Sequence, residues 1–289
     1  MKLVRYGKLG EEKPGIVDSH GIIRDISHIL DDINPRTLSN LELLYHLNLL
    51  DVETLPAVDK DARLGACVGT PGKLICIGFN SHLHTTQMGL TPMPENEILV
   101  FMKPSCAICG PQDPILYTRH TKKLDWEAEL GIVIGKKGKY ITPEQAKDHI
   151  FGYTCINDLS ERYWQLETMD KQFTKGKCFD NAAPMGPYLV TRDEIADSSN
   201  LDIKLWVNGE LRQEFNTSDY IHNDIEVISY VSQYFTLYPG DVISMGSAPG
   251  NAKSWGDDKY LKPNDKVVFT IIGLGQQEQV VVVEEEFFD

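Results

Sequence analysis

The 289-residue sequence predicts a mixed α/β protein in which strands dominate, with a small N-terminal α+β unit over residues 1–70 and a larger body over 71–289. Three observations carry that expectation. From residue 72 onward the chain is a succession of short apolar or alternating runs bounded by Gly, Pro, Asn and Asp, the pattern of strands and their turns. Few helical patterns separate those runs, which argues against a doubly wound sheet and for an antiparallel or mixed β body. The composition, 42% hydrophobic and 24% charged, is that of a globular chain able to bury one large core or a core with a satellite domain.

In order along the chain, 2–6 and 15–17 read as short strands, Asp18-Ser19-His20-Gly21 as a turn, and 22–26 as a strand that pairs back. Leu41, Leu44, Leu47 and Leu50 recur at three-residue steps, so a helix is expected over 39–50 with Ser39 and Asn40 as caps. A polar crossing over 59–71 ends the first unit. Strands are then expected over 74–78, 97–103, 126–135, 152–157, 203–207, 241–246 and 266–272, with helices over 142–149 and 224–236. Asn208-Gly209 is the dipeptide of a type I′ hairpin turn. The acidic run Glu284-Glu285-Glu286 reads as a solvated tail.

Charge narrows the function. With 28 basic and 42 acidic residues the net charge is −14, which disfavours nucleic-acid binding but leaves room for a local basic pocket. No apolar run approaches the ~20 residues a bilayer helix needs, and the charged opening Met1-Lys2-Leu3-Val4-Arg5 does not resemble a signal peptide. A cytoplasmic protein is expected. Six cysteines, at 67, 76, 106, 109, 155 and 178, are then expected as free thiols. Cys106-Ala107-Ile108-Cys109 has metal-like spacing but no second pair to complete a zinc site.

Three stretches carry candidate chemistry. In Asp125-Trp126-Glu127-Ala128-Glu129-Leu130, read as a strand, Glu127 and Glu129 share one face. Two carboxylates on a strand heading into an apolar interior need positive charge between them, and a hard divalent cation suits oxygen ligands; exposed strand charge is the plainer reading of the pair alone. Next, 152–157 is an apolar run ending at Asn157-Asp158, after which Arg162 and Gln165 fall at helical spacing, so all three can share a face toward an oxygen-rich ligand, or form a cap with a surface salt bridge. Last, Lys175-Gly176-Lys177 sits before Cys178-Phe179-Asp180, where a lysine held beside glycine and an apolar strand can be buried and aimed at an anion.

Glu-x-Glu-Leu-Gly-Ile-Val-Ile-Gly, Asn-Asp-Leu-Ser-Glu-Arg-x-x-Gln and Gly-Lys-x-Phe-Asp, in this order, resemble the fumarylacetoacetate hydrolase family. The opening residues resemble its bacterial branch of 2,4-diketo-3-deoxy-sugar-acid hydrolases and proteins labelled ureidoglycolate lyase. The resemblance implies a rolled β-sandwich catalytic domain, a homodimer, and Mg²⁺ or Mn²⁺ as cofactor, with Ca²⁺ also suited to the donors. It places Glu127, Glu129 and Asp158 as metal ligands, and Arg162, Gln165 and Lys177 around the carboxylate and keto oxygens of a small keto-acid substrate. Ser247, in Met245-Gly246-Ser247-Ala248-Pro249, keeps a hydroxyl for the substrate carboxylate where the family usually has Thr-Gly-Thr-Pro. Trp255 reads either as a wall of that pocket or as a surface aromatic.

The lid motif departs from the family. Where Gly-x-Asn-Tyr-x-x-His-x-x-Glu is usual, this chain has Gly78-Phe79-Asn80-Ser81-His82-Leu83-His84-Thr85-Thr86-Gln87. His84 keeps the histidine position. Gln87 replaces the carboxylate, and a neutral amide can orient an imidazole but cannot stabilise its cation. His82 on a helix would face about 200° away from His84, and the other histidines have no ligand-like spacing. The expected function is divalent-metal-dependent C–C hydrolysis of a small 2,4-diketo acid or acylpyruvate, with His84, Gln87 and Lys177 catalytic. The alternatives are an oxaloacetate-like keto-acid tautomerase or decarboxylase, or a catalytically weak ligand-binding paralogue.

Overall fold

The computed structural model describes residues 1–87 and 96–288. The N-terminal unit opens with strands β1 (Lys2–Tyr6), β2 (Lys13–Val17) and β3 (Ile23–Asp25), then a helix α1 (Leu41–Asn48). Asn40 caps α1 by accepting the Leu43 N–H at 3.1 Å, and Leu44 and Leu47 carry its buried stripe. The body adds β4 (Leu74–Gly78), α2 (His82–Gln87), β5 (Leu99–Lys103), β6 (Ile115–Tyr117), β7 (Ala128–Ile134), β8 (Ile150–Asn157), α3 (Phe173–Lys177) and β9 (Leu189–Thr191). It ends with β10 (Asp202–Val207), β11 (Glu210–Asn216), α4 (Asp224–Tyr234), β12 (Val242–Ser244), β13 (Lys266–Ile271) and β14 (Gly275–Val283).

Two sheets hold these strands, in a mixed α/β, strand-dominated architecture. The larger has the order β3-β2-β1-β9-β8-β7-β12-β4-β5, antiparallel except for β12 beside β4; the smaller has the order β11-β10-β13-β14-β6. The first seventy residues do not stand off from the body: β1 pairs with β9 through Lys2↔Val190 and Leu3↔Leu189, so the N-terminal hairpin continues the main sheet. At the centre of that sheet β7 and β8 are buried along nearly their whole length, and every side chain of β7 is in the interior. That explains why 130–134 reads as an unbroken apolar run.

Asn208 (φ 52°) and Gly209 (φ 81°) are both left-handed, as a type I′ turn between β10 and β11 requires. The nine-residue strand β14 was not expected, because Gln276-Gln277-Glu278-Gln279 lacks an apolar face. Gln277 is nonetheless buried in it, and its Nε2 donates to the carbonyls of Cys155, Pro184 and Gly186 at 2.9–3.1 Å. Hydrogen-bonded glutamine replaces hydrophobic packing there. The acidic tail is a helix over Glu284–Phe288 rather than a loose end. All six cysteines are free, with Cys106 exposed and Cys109 buried. No helix among the described residues is long and apolar enough to cross a membrane.

Candidate metal centre and pocket

The β7–β8 ladder brings the acidic residues together. Ala128 lies opposite Asn157 and Glu129 opposite Ile156. One step beyond the ladder, Glu127 donates its N–H to Asn157 Oδ1 at 3.0 Å, and Asp158 donates its N–H to the Glu127 carbonyl at 2.9 Å. Glu127, Glu129 and Asp158 are all buried, and each offers a carboxylate oxygen within 4.8 Å of the others. The shared face expected for Glu127 and Glu129 is therefore present, and it is an interior face.

Cations fill the spaces between these acids. Arg162 bonds Asp125 Oδ2 through Nε at 2.7 Å and Glu127 Oε1 through Nη2 at 2.6 Å, while its Nη1 reaches Gln165 Oε1 at 2.9 Å. Lys177 Nζ lies 2.6 Å from Asp158 Oδ2 and also bonds Glu127 Oε2. Lys103, fully buried at the end of β5, bonds the other oxygen of Asp158 and the Leu159 carbonyl. Among the described residues Glu129 has no cation of its own: its Oε2 accepts from Ser244 Oγ at 2.6 Å and from the Gly246 N–H at 2.9 Å. Gly246 sits at φ 94°, a backbone conformation that an L side chain rarely adopts.

The protonation pattern follows. Burial pushes the Glu127 carboxyl up, but Arg162 and Lys177 overcome it and hold it well below the usual carboxylate range. Burial also pushes up Glu129, and there the neighbouring charges of Asp158 and Glu127 add to the rise. Burial works against the Lys177 ammonium, which Asp158 and Glu127 hold above its ordinary range. Four carboxylates (Asp125, Glu127, Glu129, Asp158) thus face three cations (Lys103, Arg162, Lys177) in one buried cluster. Glu129 is the carboxylate left without a cation, and its raised pKa favours the protonated, neutral form.

Two expectations about local structure are corrected. Asp158 does not share a helical turn with Arg162 and Gln165; it ends the run of β8, and a π-helical turn over Tyr163–Glu167 supplies Gln165. Lys177 is not on a loop before a strand but at the C-terminal end of α3. The glycine before it is needed for close approach, since a Cβ on Gly176 would lie 2.6–2.8 Å from the backbone and Cβ of Gln165. The convergence of these residues comes from tertiary packing, not from helical spacing.

The carboxylates open onto a cavity of about 170 Å³ whose wall includes His84, Arg162, Gln165, Lys177, Ser247 and Lys253, with Phe79 and Phe101 among its apolar members. Ser247 Oγ accepts from Gln213 Nε2 at 2.9 Å. His84 is buried on α2, its ring stacked on Phe79 at 6.3 Å between centroids, and its Nδ1 has no hydrogen-bond partner among the described residues. Burial lowers its pKa, so the imidazole is neutral at pH 7. His82 is exposed on the other side of α2, in line with the angle expected. Gln87, expected to orient His84, is exposed at the end of α2 and does not bond Nδ1. Trp255 is half exposed, stacked by Arg212 at 5.2 Å and outside the cavity wall, which settles it as a surface aromatic.

Asp125, Lys103 and Lys253 were missed. Asp125 stands two residues before Glu127 and could have been read with it; nothing local marks Lys103, the last residue of an ordinary strand.

The pattern of the fumarylacetoacetate (FAA) hydrolase C-terminal domain matches residues 73–282. A protein of Burkholderia multivorans with a provisional hydrolase name that states no substrate is 44% identical over 281 residues, 97% of this chain and 98% of its own. The solved fumarylacetoacetate hydrolase of Exiguobacterium antarcticum superposes with a TM-score of 0.84 at 31% identity, covering 98% of this chain and 99% of that one. The maleylpyruvate hydrolase of Sphingobium sp. SYK-6, solved with manganese(II) and pyruvate, gives 0.81 at 28% identity over 98% and 99%.

Proposed function

Since the chain belongs to the fumarylacetoacetate hydrolase family, we propose that it is a divalent-metal-dependent hydrolase that cleaves a C–C bond in a small 2,4-diketo acid or acylpyruvate. The observation that carries this reading is the convergence of Glu127, Glu129 and Asp158 beside Arg162 and Lys177 in one enclosed pocket. The donor set fits a hard cation such as Mg²⁺ or Mn²⁺, since all three offer carboxylate oxygens. The charge fits too: a divalent ion would hold Glu129 ionised and bring the four carboxylates and three cations to a net +1, which a monoanionic keto acid neutralises. The bound ion would supply Lewis-acid polarisation of the keto oxygen.

The chain's own residues do the rest. Arg162 and Lys177, fixed by Asp125, Glu127 and Asp158, present charge where negative charge develops on the 2-keto portion. Gln165 and Ser247 orient the substrate carboxylate. His84 is neutral and lines the cavity, so its imidazole can take a proton from water as the water oxygen adds to the acyl carbonyl. The C–C bond then breaks toward the 2-keto acid, whose carbon regains a proton, leaving a carboxylic acid and a 2-keto acid. The apolar wall of Phe79, Phe101 and Leu166 keeps bulk water out.

A second reading, tautomerisation or decarboxylation of an oxaloacetate-like acid, is favoured by one observation: among the described residues His84 has no carboxylate partner to stabilise its cation. The deciding experiment sets cleavage of acylpyruvates by the Mg²⁺- and Mn²⁺-loaded enzyme beside enol loss and pyruvate formation from oxaloacetate. Hydrolysis of an acylpyruvate at the higher kcat/KM supports the first reading; oxaloacetate turnover without acylpyruvate cleavage replaces it.

A further inference from the structure

With Gln87 turned to solvent, the lid lacks the side chain expected to orient His84, yet the imidazole is buried in the pocket wall. Something else must hold α2. The residues at its first turn point to the segment 217–222, which follows β11. Ser81 is fully buried and donates its hydroxyl to Asp219 Oδ2. The same hydroxyl oxygen accepts the His84 N–H at 3.0 Å, and Asp219 accepts the Leu83 N–H at 3.3 Å. One carboxylate therefore satisfies, directly or through Ser81, two of the free N–H groups at the start of α2.

The anchorage continues upstream. Asn80 accepts the His222 N–H at 2.8 Å and donates from Nδ2 to the carbonyls of His222 and Met245 at 2.9 Å each, and Ile221 donates its N–H to the Asn80 carbonyl at 3.0 Å. Phe79 meanwhile holds a left-handed backbone, φ 55°, that costs energy for an aromatic residue and needs such restraint. Thr217 secures the far side through Leu201 and Ser198.

We infer that Asp219 is a positioning residue that acts through Ser81 to hold α2 in place, so that His84 faces the carboxylate cluster. The inference rests on the reading of His84 as the group that moves the proton. A serine suits the relay because its hydroxyl is short enough to accept from His84 N–H and donate to Asp219 from one buried site.

The test uses the full-length Mg²⁺-loaded enzyme, acetylpyruvate as probe, and Asp219→Asn, Ser81→Ala and Ser81→Thr, each alone and with His84→Ala. Asp219→Asn and Ser81→Ala are expected to lower kcat about tenfold with KM little changed, and to speed amide exchange at Leu83 and His84 about tenfold. Mg²⁺ affinity should hold, and Ser81→Thr should keep wild-type turnover. In the His84→Ala background Asp219→Asn should change kcat by less than about twofold. An equal loss in both backgrounds, or wild-type turnover and exchange in Asp219→Asn, overturns the inference while leaving His84 standing. Wild-type turnover in His84→Ala overturns the reading of His84 and the inference with it. If Asp219→Asn does not fold, Ser81→Ala decides by the same comparisons, and the exchange readout does not depend on which acid is turned over.

Discussion

Asp158 donates its backbone N–H to the carbonyl of Glu127 at 2.9 Å, just past the last paired residues of β7 and β8. That single bond sets two carboxylates side by side at the end of a ladder whose register places Glu129 one pleat further in. The candidate metal centre is a property of strand register, so it is as rigid as the sheet that makes it.

The protonation of Glu129 gives a pH signature. Its carboxyl is raised by burial and by the charges of Asp158 and Glu127, so in the metal-free protein it keeps its proton well above the ordinary carboxylate range. A ligand must be deprotonated. Mg²⁺ or Mn²⁺ uptake should therefore release a proton wherever Glu129 is still protonated, and weaken as pH falls. Calorimetric titrations in buffers of different ionisation enthalpy measure that release; a buffer-independent enthalpy would mean Glu129 is already ionised.

The same shift has a consequence for stability without metal. A raised native pKa stabilises below the unfolded value and loses that contribution as pH rises through the native one. Glu129→Gln should thus raise the Tm of the metal-free protein at pH 8 by several degrees and change it little at pH 4. Thermal scans at the two pH values check the sign.

Lys103 has no exposed side-chain surface and bonds both Asp158 and the Leu159 carbonyl. Removing one partner of a buried ion pair typically costs about 3–5 kcal/mol. Lys103→Ala should be destabilised by about that amount in urea unfolding. A loss below ~1 kcal/mol would show that Lys177 alone compensates Asp158.

His84 and Gln87 should separate kinetically. His84→Ala is expected to lower acylpyruvate turnover by ~10²-fold or more, while Gln87→Ala, altering an exposed side chain, should stay within about twofold of wild type. Steady-state kinetics on both variants decide it, and a large Gln87 effect would mean that α2 turns during the reaction.

Much of this was legible in the sequence, for identifiable reasons. The apolar run 130–134 marks a doubly buried strand, and Glu127 and Glu129 at its start inherit a shared face from the period of two. Asn208-Gly209 announces its turn because few dipeptides tolerate two positive φ values. What stayed hidden depends on packing between distant segments. Lys103 ends a strand that looks like any other, and only the fold brings it to Asp158. Gln277 sits in a run too polar to read as a buried strand, since its burial depends on three carbonyls from elsewhere in the chain. Arg162 and Gln165 were found by the right spacing for an inexact reason: their turn is π-helical, and Asp158 is not part of it.

The most direct test of the account is an isothermal titration of Mg²⁺ or Mn²⁺ into the metal-free protein and into Glu129→Gln. One ion per chain should bind to the wild type, and the variant should lose at least about 100-fold in affinity, since even outer partners of a metal site cost 10–100-fold. Equal affinity in the two proteins, or no saturable binding to the wild type, would contradict it.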